Sequence, residues 1–449
     1  MLKFYLVTDT HFYAADVLGR TDHMDQKCLN ESGAIIDAAF DILASKQDSD
    51  IILIAGDLTN NGERPGHERF LEKLKKLKSS GKRIFAITAT HDYGLAAVDS
   101  EGHSENHDCE NRVSREELWD MYYEFGPNEA IAQSERYMSY VVQLAPGYRL
   151  LCLNDDGNGK DFCGYDKAQL EWILEQIKSA KQDGEFLFAM THHPVLPPSP
   201  IYPMFSRRDM LGDYENTSRI LADAGLRFVF TGHTHMQNIE YLTTPSGNKL
   251  WDINTGSLVG YPMPIRSVVI DDDFMTVSTE HVESFDWDFG GKSVQEYMTE
   301  HFDLMLNTIF DSMAFDIDKL ADMSGSFSMN RKTVYRLKVP LTMLGKALQK
   351  FTLGKAGKLL LCKKKIDSSV SDLLLKDLII EFIRNIYTGD EPYSKDTPVG
   401  SAMLTLCSRI APLLKPVLKK TPITDLTSFV GSLIYDPTPD SEAVIPLKD

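Results

Sequence analysis

The stretch FVFTGHTHMQ (residues 228–237) places an apolar β-type run directly before a glycine and two histidines that are two residues apart. Short apolar runs recur up to about residue 281, and amphipathic helical patterns separate several of them, as at residues 31–45 and 166–180. Side chains repeat every two residues in a strand, whereas a helix buries positions three and four apart. Strands that alternate with helices predict a layered α/β domain whose sheets are covered by helices.

Composition narrows the class of protein. The chain has 449 residues, of which 43% are hydrophobic, and this is enough for one large domain and a smaller one. A formal net charge of −18 argues against general nucleic-acid binding. The six cysteines form no CxxC pair, and the sequence shows neither a signal-peptide pattern nor a long uncharged apolar window. We therefore expect a cytoplasmic protein with reduced thiols and no transmembrane segment.

The pattern changes near residue 285. Beyond it, helical periodicity replaces the β-type runs, most clearly in SSVSDLLLKDLIIEFIRNIYTGD (368–390). Ser369 and Asp372 form a candidate capping box for this helix, and Gly389 is placed to end it. The sequence therefore predicts a first domain at residues 1–285 and a smaller all-α domain at residues 286–449.

The role of the helical domain stays open at this stage. Covering a site on the first domain, dimerising and recruiting a partner all require helices with an apolar stripe. Residues 331–366 also carry eleven Lys and Arg residues and no acid. They form either a solvated face or internal counter-patch, or a surface for an acidic partner or membrane.

Five short stretches place His or Asp at the ends of predicted strands. Loops at the carboxyl ends of strands in an open α/β sheet meet in one crevice, so residues distant in sequence can converge there. Six of the twelve histidines lie in these stretches. The five are VTDTH (7–11), AGDLTNNGE (55–63), TATHD (88–92), MTHHP (190–194) and TGHTH (231–235).

This set of side chains indicates a metal site. Carboxylates and imidazoles without thiols suit divalent ions such as Mn, Fe or Zn, and also accommodate Ni and Co. The spacings DxH and HxH put both side chains on one side of an extended segment, so both can reach one ion. Because one ion rarely needs more than five ligands, the surplus predicts two ions, about 3.5–4 Å apart and bridged by a carboxylate and a hydroxide.

The order DxH, GD, a strand ending in HD, HHP and GHxH resembles the calcineurin-like metallophosphoesterase family over roughly residues 1–285. The resemblance implies a four-layer α/β/β/α sandwich, here followed by the all-α domain. Three segments are similar to the cyclic-nucleotide phosphodiesterase branch of that family. They are GDLTNNGE (56–63), FGPNEA (125–130) and GYDKAQLEWIL (164–174).

The resemblance also implies a ligand set. The first ion would be held by Asp9, His11, Asp57 and His235, and the second by Asp57, His192, His233 and Thr90. Thr90 stands where most members have an asparagine whose amide oxygen ligates the metal. Because a neutral hydroxyl is a poorer ligand, we expect the second site to be weaker.

Catalytic roles follow from the same comparison. Two divalent ions lower the pKa of a shared water, and the resulting hydroxide attacks phosphorus while the ions neutralise the developing charge. His91 is expected to assist the leaving group, a step worth about 10²–10⁴ in rate. Asn60 occupies the position of an aspartate that orients this histidine in relatives, and Asp92 is the candidate that takes over the role. Asn60 and His193 are candidates for substrate contact, although His193 could instead shape the turn before Pro194.

Two loops are expected beside the crevice. The proline-rich loop at residues 192–210 offers Tyr202, Arg207 or Arg208 for substrate contact. A polar loop at residues 101–112 contains His103 and His107, which are weaker candidates for ligands.

These features predict a dinuclear metal-dependent phosphodiesterase that acts on small phosphodiesters such as cyclic nucleotides. A phosphomonoesterase, either a nucleotidase or a phosphoprotein phosphatase, would use the same metal centre and differ in the walls around it. A third alternative is a non-catalytic metal-binding interaction protein. Oligomerisation through the helical domain is a further expectation.

Overall fold

A computed structural model describes residues 1–22, 25–94, 111–157, 163–324, 331–419 and 421–448. Within these ranges, thirteen strands form two mixed sheets. The strands are β1 (Leu2–Val7), β2 (Ile51–Ala55), β3 (Arg83–Ile87), β4 (Ala130–Ser134), β5 (Ser139–Ala145), β6 (Tyr148–Cys152), β7 (Phe186–Met190), β8 (Phe228–Thr231), β9 (Asn238–Thr243), β10 (Lys249–Asn254), β11 (Pro264–Ile270), β12 (Phe274–His281) and β13 (Ala443–Pro446).

The first sheet has the order β13-β12-β11-β1-β2-β3, and the second has the order β4-β5-β6-β7-β8-β10-β9. Strands β1, β2 and β3 are parallel, as are β6, β7, β8 and β10. The carboxyl ends of the parallel strands in each sheet carry the motifs with His and Asp residues, so both sheets contribute to one edge of the fold.

Helices of the first region lie in the connections between strands. They are α1 (Ala15–Leu18), α2 (Ser32–Ser45), α3 (Arg64–Ser79), α4 (Arg115–Met121), α5 (Lys167–Gln182), α6 (Tyr202–Phe205) and α7 (Tyr214–Ala224). Buried residues of α2 and α3 pack in the core that contains the first sheet, whereas those of α5 and α7 pack in a second core on the second sheet.

Successive residues along the strands of the second sheet face opposite sides and so pack in different cores, which explains why four layers form. Leu150 and Phe188 belong to the core shared with the first sheet, while the adjacent Leu151 and Ala189 belong to the core under α5 and α7. The ring of Phe4 in the first sheet stacks on Phe188 with centroids 5.2 Å apart. The sheets therefore face each other between two helical layers, as predicted.

The chain is helical after residue 290, also as predicted. The helices are α8 (Val294–Phe315), α9 (Ile317–Asp322), α10 (Arg331–Arg336), α11 (Lys338–Leu348), α12 (Leu353–Leu359), α13 (Leu375–Thr388), α14 (Pro398–Leu418) and α15 (Leu426–Ile434). No helix of the described ranges is both long and apolar enough to span a membrane.

Two details of this region differ from the expectation. Helix α13 begins at Leu375 rather than at Ser369, because the Ser369 hydroxyl donates to Asp367 in the preceding turn. Gly389 does end the helix, with a φ of 77°. The segment at residues 443–446 is not helical: as β13 it pairs antiparallel with β12 at the edge of the first sheet. The last residues of the helical region therefore return to the sandwich.

Candidate metal centre

The strand ends that carry the predicted ligands adopt an unusual backbone conformation. Five of these residues have positive φ angles: Asp9 (50°), His11 (32°), Asp57 (48°), His233 (67°) and His235 (59°). Each such non-glycine residue costs on the order of 1–3 kcal/mol, and the surrounding structure must hold it in place. Such strain clusters at functional sites, and here it is shared by three different turns.

The first cluster joins the ends of β1 and β8. Ligand atoms of Asp9, His11 and His235 lie within 4.8 Å of one another. Nε2 of His235 is 3.1 Å from Oδ1 of Asp9 and 3.0 Å from Nε2 of His11. Oδ1 of Asp9 is buried and makes no hydrogen bond with any described residue. A buried carboxylate oxygen without a donor is costly, and a cation among these three side chains would satisfy it.

The second cluster joins the ends of β2, β7 and β8. Ligand atoms of Asp57, His192 and His233 lie within 4.8 Å of one another. His192 uses Nδ1 for a 2.8 Å hydrogen bond with the Ala55 carbonyl, and its buried Nε2 makes none within the described structure. A ring held through one nitrogen, with the other turned toward a carboxylate of the same cluster, is typical of a metal-ligating histidine.

Asp57 lies between the clusters. Its Oδ2 is 3.1 Å from Nε2 of His192 and 3.7 Å from Nε2 of His11. It also groups with His11 and His91 in a third set of ligand atoms within 4.8 Å. This position fits a carboxylate that serves both clusters.

The charges around the clusters fit a cation. Burial would raise the pKa of Asp9 and of Asp57, but the neighbouring histidines hold both pKa values well below the ordinary range. Burial would lower the pKa of His192, yet Asp57 and Asp9 raise it to about 10, so an ion that binds His192 must displace a proton from this ring. Burial, followed by the charge of Lys27, lowers the pKa of His11 to about 3. Ionised carboxylates and a neutral imidazole thus form a donor set suited to divalent metals.

His91 borders the clusters from the turn after β3. Its backbone N–H donates to Oδ1 of Asp57 at 3.1 Å, and its ring centroid is 4.9 Å from that of His11. Nδ1 lies 2.5 Å from the backbone carbonyl of Asn60. The side chain of Asn60 points elsewhere, because its Oδ1 accepts from Nζ of Lys27 at 3.2 Å. A main-chain oxygen therefore orients His91.

Comparison with known proteins agrees with this geometry. The sequence model of the calcineurin-like phosphoesterase family matches residues 2–237, more than half of the chain. The chain belongs to this family. Members usually bind two divalent metals, and the clustered His and Asp side chains of this phosphoesterase fit such a pair. No curated protein matches it.

Solved structures with a similar fold include a dimetal phosphatase from Danio rerio, at 14% identity and a TM-score of 0.47 over 63% of this chain and 97% of that one. Purple acid phosphatase PPD1 from yellow lupin seeds is similar at 11% identity and a TM-score of 0.44, over 62% of this chain and 51% of that one.

Asp92 does not have the position expected of it in this phosphoesterase. Its buried carboxylate accepts from the backbone N–H groups of Thr59, at 2.8 Å, and Ala89, at 2.9 Å. Burial, followed by repulsion from Asp57, raises the pKa of Asp92 to about 8. These hydrogen bonds correct the expectation that Asp92 orients His91: its carboxyl group organises the turns after β2 and β3.

Asp155 is a site residue that the sequence analysis missed. Its Oδ2 accepts from the backbone N–H groups of His192 and His193, at 3.0 and 2.7 Å, and from the Thr191 hydroxyl at 2.7 Å. Its Oδ1 lies 2.9 Å from Nδ1 of His193. One buried carboxylate thus fixes the whole turn that presents His192, and this favours a turn-shaping role for His193. The available signal was an acidic pair, Asp155 and Asp156, which begins three residues after the end of β6.

Two glycines allow the close approach of the strand ends. A Cβ on Gly56 would lie 2.7 Å from Nδ1 of His192, and one on Gly232 would lie 2.4 Å from Oδ2 of Asp9.

Thr90, the predicted ligand of the second ion, is partly buried and begins the short 3-10 helix Thr90–Asp92. The next residue, His91, donates its backbone N–H to Asp57, so Thr90 lies on a segment that contacts the clusters.

A cavity of about 720 Å³ opens in front of the clusters. His11, Asp57, His91, His233 and His235 line it, together with Lys27 and Asn60. From the proline-rich loop, Tyr202, Ser206 and Asp209 reach it, whereas Arg207 lies 3.5 Å from Glu215 at the surface. His103 and His107 lie outside the described residues.

Proposed function

We propose that this protein is a metal-dependent phosphodiesterase that hydrolyses small phosphodiesters, with cyclic nucleotides as the first substrates to test. The convergence of two His and Asp clusters on the shared Asp57 carries the proposal. The three segments that resemble the cyclic-nucleotide branch support the preference for a diester.

The charge of the cavity also favours a diester over a monoester. Among its described lining residues, Lys27 is the one Lys or Arg side chain, and Nζ of Lys27 is 3.7 Å from Oδ2 of Asp25. A phosphomonoester carries nearly two negative charges at neutral pH, whereas a diester carries one. A site with a single, already paired cation beside the metals suits the smaller charge.

Within this proposal, Asp9, His11 and His235 would hold a first divalent ion, His192 and His233 would hold a second, and Asp57 would serve both. When bound, Mn, Fe or Zn ions would supply a nucleophilic hydroxide and neutralise phosphoryl charge. Protonated His91 keeps Nδ1–H on the Asn60 carbonyl and presents Nε2–H to the leaving oxygen. Burial lowers the pKa of His91, so the protonated ring is a stronger acid but a smaller fraction of it is protonated at neutral pH.

The test is hydrolysis of bis(p-nitrophenyl) phosphate and p-nitrophenyl phosphate by chelated protein to which Mn²⁺ is returned. We expect turnover to require the metal and kcat/KM to be higher for the diester. Faster turnover of the monoester would instead assign a phosphomonoesterase. Metal binding without turnover of either ester would assign a non-catalytic metal-binding protein.

A further inference from the structure

The helical region supplies part of the cavity lining. The side chains that it contributes are nearly all apolar, whereas those of the metal clusters are ionisable. On α8, the lining residues are spaced i, i+1, i+4 and i+5, and on α13 they are spaced i and i+4. Each helix therefore presents one face to the cavity. We call this set the apolar wall; it consists of Met305, Leu306, Ile309, Phe310, Ile383 and Tyr387.

The apolar wall is held in a fixed position relative to the metal ligands. The backbone N–H of Gln237, two residues after His235, donates to the carbonyl of Tyr387 at 3.3 Å, and Nε2 of Gln237 donates to that of Thr388 at 2.9 Å. The rings of Phe302 on α8 and Tyr387 on α13 have centroids 4.8 Å apart. The turn that carries His235 thus also anchors the end of α13, and α13 contacts α8.

Gly389 provides a second close contact between the end of α13 and the turn that carries His235. This residue ends α13 with a positive φ of 77°, and a Cβ there would lie 2.8 Å from the carbonyl oxygen of Gln237. Glycine is needed at this position both for the left-handed conformation and for the contact with the metal-binding turn.

The apolar wall offers a ligand almost no hydrogen bonds. Its one polar side-chain group is the hydroxyl of Tyr387, and burial raises the pKa of Tyr387 to about 12, so the group is uncharged. A sugar or second phosphate placed here would lose hydration without finding partners, which is costly. A hydrocarbon group placed here would gain from leaving water.

This inference rests on the proposed function and narrows it. We propose that the apolar wall is a binding subsite for an uncharged hydrophobic ester group, alkyl or aryl, of the phosphodiester substrate. The phosphate lies at the metal clusters, and the hydrophobic group contacts α8 and α13. Within the proposed function, the apolar wall favours phosphodiesters with an alkyl or aryl group over those with only polar groups.

The test uses the full chain with Mn²⁺ and a series of p-nitrophenyl phosphodiesters whose second ester group is methyl, butyl or octyl. We expect kcat/KM to rise about tenfold or more from methyl to octyl, mainly through a lower KM, because each buried methylene adds binding energy. Phe310→Ser should flatten this dependence, so that kcat/KM for the octyl ester falls far more than kcat/KM for the methyl ester. Ile383→Thr, on the other helix, keeps a β-branched side chain but makes it smaller and polar, and it should do the same if Phe310→Ser fails to fold.

Leu304→Ser is the matched control, because Leu304 lies on α8 with 54% of its surface exposed and outside the cavity lining. It should keep the full dependence on chain length. Equal kcat/KM across the series, or a dependence that survives Phe310→Ser and Ile383→Thr, would overturn the subsite and leave the phosphodiesterase standing.

Binding of methylphosphonate monoesters with the same three alkyl groups, measured by calorimetry, extends the test to a protein without turnover. Tighter binding of the octyl ester, lost in Phe310→Ser, would support the subsite even where no diester is hydrolysed and the proposed function fails. Equal affinity for the three esters would overturn it.

Discussion

The two candidate metal clusters lie on either side of Asp57 but differ in how they are completed. The first cluster combines Asp9, His11 and His235, which are all at most 6% exposed. Each of its three candidate ligands is therefore a buried ionisable group. The second contains the partly exposed His233 and, by resemblance, the hydroxyl of Thr90 in place of an amide oxygen. The difference predicts unequal metal affinities from equivalent turns of one fold. We expect the first ion to bind more tightly than the second.

Asp57→Asn should weaken both clusters and so remove the difference in affinity between them, because it removes the carboxylate that lies between them. We expect both ions to bind weakly and kcat to fall about 10³-fold or more. Metal content after gel filtration and diester turnover would show this. Asp41→Asn, an exposed aspartate that pairs with Lys76, is the control and should retain both ions. Retention of two ions by Asp57→Asn would show that Asp57 does not bridge.

His91→Asn separates metal binding from catalysis. We expect both ions to remain and kcat to fall about 10²–10³-fold for an ester with an alkoxide leaving group. The loss should be much smaller with p-nitrophenolate, which needs no proton to leave. Rates for the two leaving groups, measured on the same preparation, provide the check. An equal loss for both would mean that His91 acts through the metals instead.

Asp155→Asn weakens the second cluster alone. The amide oxygen can still accept from the backbone N–H groups of His192 and His193, but the negative charge is lost, as is the second oxygen, which faces Nδ1 of His193. Loss of such a supporting group commonly costs about 10–100-fold in metal affinity, and we expect that loss for the second ion only. Titration with Mn²⁺ would resolve the two affinities. Asp183→Asn, at an exposed aspartate after α5, is the control; equal weakening of both ions would contradict the assignment.

Thr90→Asn should reduce the difference between the sites. An amide oxygen is a better ligand than a hydroxyl, so we expect the second ion to bind about tenfold more tightly while the first is unchanged. Thr90→Val keeps the shape and removes the hydroxyl, and it tests whether Thr90 itself binds metal. If Thr90→Asn leaves both affinities as they were, residue 90 is not a ligand.

The sequence predicted the parts of the site that depend on local pattern. Motifs such as TGHTH follow β-type runs, and parallel strands bring their carboxyl ends together, so convergence of Asp9, Asp57 and His235 could be expected. Asp155 was missed because an acidic pair after a strand is common and its four hydrogen bonds are tertiary. The orientation of His91 by the Asn60 carbonyl could not be predicted, since a main-chain acceptor leaves no trace in residue type.

The helical region was predicted only as helices. Periodicity shows that α8 and α13 have apolar faces, but not what those faces contact. The position of the apolar wall depends on Gln237 and Gly389, whose hydrogen bonds and close contact exist only in the folded chain. The return of β13 to the first sheet was missed for the same reason, because a four-residue strand has too weak a pattern to be recognised.

The central claim is that two ions are held at the joined strand ends. The most direct measurement is anomalous diffraction from crystals of the chelated protein soaked in Mn²⁺. We predict two peaks, one within bonding distance of Asp9, His11 and His235 and a second, weaker one beside His192 and His233, with Asp57 between them. A difference map without a peak at these side chains, from crystals that show Mn²⁺ elsewhere, would contradict the account.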